Sequence, residues 1–238
     1  MSKRKLALIA FALTFLCSVS PHAPRLPLPH LVLWAWERPE DLRFIDSATT
    51  AVAYLAATVT LQPDGSPRFQ SRHQPLLTPP ETTRIAVIRI ESPPRYIFPD
   101  PSVLAVEIAQ LAASHRAAAL QIDFDARVSE RAFYKFLLAK LRQNTNLPIG
   151  ITALASWCEG DRWLDDLPIS EAVPMFFRMG RNESRGMPVV SPVCRTSIGL
   201  STDEPWPAPR AVRTYVFNPR SWTKSGYEAI RSRAEVWK

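Results

Sequence analysis

The chain has 238 residues, 46% hydrophobic and 21% charged, a balance that suits one large domain or two small ones with a real core and excludes a disordered chain. Its formal charge of +7 invites a nucleic-acid partner, but Lys3, Arg4 and Lys5 supply three of those charges at the very start. No Lys/Arg block or aromatic-basic ladder occurs beyond them, so that partner is set aside.

The first element in chain order is a charged start followed by "LALIAFALTFL", a run too short for an ordinary spanning helix. It reads as a bacterial export signal covering residues 1–23, removed near Ser20 or Ala23 to leave a single domain over 24–238 in the periplasm or medium. Lipid attachment at Cys17 and an uncleaved anchor remain as alternatives, and they are the only expected membrane contact.

After the proline-rich "PHAPRLPLPH" come eight short apolar runs: "LVLWAW" from Leu31, "AVAYLAATVTL" from Ala51, "RIAVIRIE" from Arg84, "AAALQIDFD" from Ala117, "PIGITALAS" from Pro148, "AVPMFFRMG" from Ala172, "TSIGLS" from Thr196 and "VRTYVFN" from Val212. Near-continuous apolarity with β-branched and aromatic residues predicts parallel strands covered on both faces. Helices are predicted between them. "DPSVLAVEIAQLAASHR" offers Asp100 or Ser102 as N-cap and Val103, Val106, Ile108, Leu111 and Ala112 as the inner face. "SERAFYKFLLAKLRQN" offers Ser129 as N-cap with Phe133, Phe136, Leu137 and Leu141 inward, and "SGYEAIRSRAEVWK" aligns Tyr227, Ile230, Ala234 and Trp237. Prolines between Gln62 and Thr83 exclude a regular helix there, and "RNESRGMPVVSPVCR" is also a poor one. The alternation predicts an α/β fold, an irregular (β/α)8 TIM-like barrel, with an open doubly wound sheet as the alternative.

Cys158 and Cys194 would remain after removal of the leader, and an even count in an oxidising compartment predicts a disulfide, with two buried thiols the alternative. Closing a loop of about 37 residues would stabilise the fold by about 4 kcal/mol on the chain-entropy estimate.

In a parallel barrel the C-terminal ends of the strands share one rim, where chemistry is built. Those ends carry Trp34, Trp36 and Glu37; Arg89 and Glu91; Gln121, Asp123 and Asp125; Ser156 and Trp157; Arg178; Asp203 and Glu204; Asn218 and Arg220. Asp123 and Asp125, two apart at the end of a strand, are expected to face the same way. Asp125 has a plainer alternative, capping the turn or pairing with Arg127 or Arg178. Asp123 lies between Ile122 and Phe124, and a carboxylate among apolar neighbours needs a partner or a task. Trp34, Trp36 and Trp157 are either core or a stacking platform for the C–H face of a sugar ring. His22, His30, His73 and His115 show no ligand spacing, so no metal or other cofactor is expected.

The set "WAWERPEDLRFID", "LQIDFDAR", "ITALASWC", "EAVPMFFRMG" and "IGLSTDEP" resembles an uncharacterised family of bacterial proteins, domain of unknown function 3142, over about Leu31 to Asn218. The resemblance implies a barrel related to glycoside hydrolases and brings no established activity. A second likeness is to the chitinase-type glycosidases, whose fourth strand ends in an Asp-x-Asp-x-Glu pattern. Asp123 and Asp125 match its aspartates, while Arg127 stands where the general acid belongs.

The first functional reading is therefore an exported, monomeric glycoside hydrolase-like barrel with carboxylates drawn from Asp123, Asp125, Glu37, Glu91 and Glu204 and a carbohydrate held by Trp34, Trp36, Gln121, Trp157 and Arg178. The second is a non-catalytic saccharide-binding or envelope-associated protein. The third is a metal-dependent phosphodiesterase or esterase using the aspartate pair, weakened by the lack of supporting histidines.

Overall fold

The computed structural model describes residues 28–159, 162–179, 189–206 and 211–236, so the expected export signal over 1–23, Cys17 and Trp237 lie outside the described residues. In chain order the elements are β1 (Leu31–Ala35), β2 (Glu40–Asp41), β3 (Thr50–Leu61), β4 (Pro67–Ser71), β5 (Leu76–Leu77), β6 (Arg84–Glu91), α1 (Pro101–Ser114), β7 (Ala119–Asp123), α2 (Arg131–Asn144), β8 (Ile149–Leu154), α3 (Ala155–Glu159), β9 (Glu171–Met175), β10 (Ser197–Ser201), β11 (Arg213–Phe217) and α4 (Lys224–Val236). Each of the eight apolar runs contains one barrel strand.

Eight of the strands pair in parallel in the order β1-β3-β6-β7-β8-β9-β10-β11, and β1 also pairs with β11, which closes the ring. The result is an α/β barrel of the (β/α)8 type, irregular in its coverings. Among the described residues a long helix follows only β6, β7 and β11, whereas α3 after β8 is five residues long. The proline-rich stretch after β3 forms an antiparallel hairpin with β4 instead of a helix. Among the described residues no helix is long and apolar enough to cross a membrane.

Period-2 alternation divides the strands between two cores. Val32 and Trp34, Ala51 and Ala53, Ile85 and Val87, Ala119, Val173 and Tyr215 fill the barrel. The alternate positions, among them Leu33, Val52, Ile88, Ile122 and Ile151, meet Leu104, Ile108, Tyr134, Leu137, Tyr227 and Ile230 of the helices. Trp34 spans the inner core. A Cβ on Gly199 of β10, two strands away, would lie 3.0 Å from its ring, so a larger residue there would press on the indole.

Three helix expectations are corrected. Asp100 does cap α1, accepting from the Ser102 N–H at 2.7 Å, but the buried stripe is Leu104, Ala105, Ile108, Ala109 and Ala112, and Val103 and Val106 face outward. The alanines on that stripe suit the close packing of α1 on α2. Ser129 is not the cap of α2. A 3-10 turn over Val128–Glu130 precedes that helix, and the Glu130 carboxylate instead receives the Arg127 N–H at 2.6 Å. Phe136 is exposed, with Phe133, Leu137 and Leu141 inward.

Cys158 and Cys194 form a disulfide with a Cα separation of 5.9 Å. It ties α3 to the turn before β10, where no crossover helix covers the barrel among the described residues.

Candidate active site at the C-terminal rim

β3 is much longer than its neighbours and rises above the ring. A bulge between Leu55 and Ala57 shifts its register against β6. Ala51 and Ala53 point into the barrel below the bulge, whereas above it Ala57, Val59 and Leu61 join the outer core and Thr58 and Thr60 take the inner side. The extra residue exchanges the faces, as a bulge must.

Those threonines form the back of an open cleft of about 340 Å3, walled by Trp36 and Glu37 beyond β1, Arg68 and Gln70 of β4, and Arg89 and Glu91 of β6. The Arg89 guanidinium lies 5.4 Å from the Trp36 ring centroid and binds Glu91 at 3.0 Å. Glu37 Oε1 accepts the backbone N–H groups of His73 and Gln74, both at 3.1 Å, which fastens the connection after β4 to the cleft wall.

Asp123 ends β7, the strand next to β6. Thr152 of β8 donates its hydroxyl to Asp123 Oδ1 at 2.7 Å. Burial raises the Asp123 carboxyl above its ordinary value; the Thr152 bond opposes this, the charge of Asp125 adds to it, Arg89 opposes it and Glu91 adds to it. Asp125 is exposed at the rim, yet the surrounding walls desolvate its carboxyl and raise it too, with Arg89 opposing. Phe124 between them packs outward against Tyr134.

From Trp36 in the cleft an aromatic strip extends along the rim. Phe177 and Phe217 stack at 5.7 Å with an interplanar angle of 3°, and Trp36 meets Phe217 edge-on at 6.3 Å. Arg178 has φ +53°, its guanidinium lies 5.2 Å from the Phe217 centroid, and its N–H binds Glu204 Oε1 at 2.9 Å.

Of the residues expected at the site, Trp36, Glu37 and Glu91 line the cleft, Asp123 and Asp125 stand on the neighbouring strand end, and Arg178 with Glu204 holds the far end of the aromatic strip. Three others do not reach it. Trp34 and Gln121 are buried in the barrel and bonded to each other, indole N–H to Oε1 at 2.9 Å. Trp157 is buried against Trp163 in the outer core. Arg127 turns away to the Pro93 and Pro94 carbonyls, both at 2.8 Å, and to Glu130, so the position of the chitinase-type acid is a structural knot. Phe177, Phe217, Thr152 and Arg68 were not singled out in the sequence. The inward series Val173, Met175, Phe177 and Arg213, Tyr215, Phe217 carries the signal for the two phenylalanines.

A carboxyl that holds its proton more tightly than an ordinary one, further carboxylates at a neighbouring cleft and an aromatic shelf are groups that can protonate a leaving oxygen and seat an apolar ring face. Among the described residues no group of three or more His, Cys, Asp and Glu is set to hold a metal ion. Comparison with protein-family models, with curated proteins and with solved structures finds no match.

Proposed function

We propose that the protein is an exported glycoside hydrolase-like barrel that acts on a carbohydrate at its C-terminal rim. The observation that carries this reading is the half-buried Asp123, raised by desolvation and bonded by Thr152, beside a cleft that also holds Glu37 and Glu91. Asp123 is the general acid in this reading, Glu37 or Glu91 the second carboxylate, and Trp36 with Phe217 and Phe177 the platform for sugar rings. The disulfide supports an oxidising compartment.

Release of new reducing ends from a panel of soluble oligosaccharides tests it. Asp123→Asn should lower turnover by about 100-fold or more, the usual scale for loss of a general acid, without any loss of melting temperature at neutral pH. Absence of new reducing ends together with saturable oligosaccharide binding would select a second reading, a non-catalytic saccharide-binding barrel. Arg127 favours that alternative, since the residue matching the chitinase-type acid is spent on the loop at Pro93 and Pro94.

A further inference from the structure

We propose that the barrel has a second binding site at its N-terminal end, taking a small molecule with an apolar body and one hydroxyl group, about the size of phenol. It is independent of the rim reading. Gln121, Gly150 and Glu171 are paired in register across β7, β8 and β9. The middle position has no side chain, so a gap opens between the amide and the carboxylate, and it forms part of a cavity of about 130 Å3.

Both ends of that gap have unused hydrogen-bonding capacity. The indole N–H of Trp34 can only donate, so its 2.9 Å bond fixes Oε1 of Gln121 on that side. Nε2 is left buried, with no partner among the described residues, on a side chain that lines the cavity. On the opposite side Glu171 Oε1 accepts the Tyr215 hydroxyl at 2.6 Å, while Oε2 accepts Ser197 and Arg213, both at 2.5 Å. One lone pair of Oε1 remains. The Glu171 network explains itself as a structural clasp at the barrel floor; it explains neither the idle amide nor the gap above Gly150. A hydroxyl can accept from Nε2 and donate to Oε1, whereas a bare hydrocarbon can do neither. Leu28, Ile85, Pro148 and Val212 supply apolar wall. The volume compares with the apolar cavity of about 150 Å3 that accommodates benzene.

Phenol is the probe, titrated into the full chain while the side-chain amide signals of Gln121 are followed by 15N–1H NMR. Saturable shifts in the millimolar range are expected, with benzene at least about tenfold weaker for want of the hydroxyl. Gly150→Ala would place a methyl in the gap at 3.4 Å from Glu171 Cγ, an ordinary contact, so the variant should fold and lose phenol. Unsaturated or absent shifts, which would leave the cavity to water alone, overturn the proposal. Equal affinity for phenol and benzene does the same and needs no variant, as does undiminished binding by folded Gly150→Ala.

Discussion

Asp123 and Glu130 flank one loop and answer a change of pH in opposite directions. The folded value of Asp123 is raised above the ordinary 3.8, chiefly by burial, so its contribution to stability is full below that value and is lost as pH rises through the folded one. Asp123→Asn has no charge to desolvate. Its melting temperature relative to the parent should therefore climb as pH rises above the ordinary carboxylate value, and a difference that falls instead would contradict the assignment. Glu130 is the reverse. Burial alone would raise its carboxyl, but Arg127, Ser92 and Tyr96 outweigh burial and hold it at about 2, so its contribution is present above the ordinary 4.5 and lost as pH falls toward 2. Glu130→Gln should destabilise the fold by about 3 kcal/mol near neutrality and by less in acid, measured by urea unfolding. At this scale the sequence revealed where the rim acids stand, because Glu91 and Asp123 end strands and Glu37 follows β1 by two residues. It could not separate Trp36 from Trp34, which have the same parity in one apolar run; only the depth of the barrel makes one a wall of the cleft and the other core.

The helices show where periodicity alone is ambiguous. α1 carries two apolar stripes, one through Val103 and Val106 and one through Leu104, Ala105 and Ile108, and no rule of spacing ranks them. The alanine-rich stripe is the inward one, and α1 packs closely on α2. Val106→Lys should change stability by no more than about 0.5 kcal/mol, whereas Ile108→Ala should cost about 2 to 4 kcal/mol; equal costs would mean that the face is misassigned. In α2, Ser129 was the stronger capping residue by type, yet with Arg127 bonded to Glu130 and to the Pro93–Pro94 carbonyls Ser129 lies inside a 3-10 turn and the helix starts one residue later, at Arg131. The bulge in β3 left no mark in "AVAYLAATVTL", since alanines tolerate either face. That one irregularity converts Thr58 and Thr60 into cleft residues, so part of the site was illegible for a backbone reason.

At the scale of the whole molecule, the barrel was legible because eight apolar runs of similar length alternate with polar connections and the chain is long enough to close a ring. The hairpin that replaces a helix after β3 was legible as well, since proline forbids a helix there. The seam of that ring has a kinetic meaning. Closure pairs Leu31–Trp34 of β1 with Thr214–Phe217 of β11, strands from opposite ends of the described chain. Pairings so distant in sequence carry the largest loop-closure entropy and form after their local neighbours. Val32→Ala, at the seam, should then leave the folding rate almost unchanged and express its whole destabilisation as faster unfolding in stopped-flow measurements; a slowed folding rate would place closure early. The seam between β1 and β11 is thus the clasp fastened last, and the place where the native molecule first lets go.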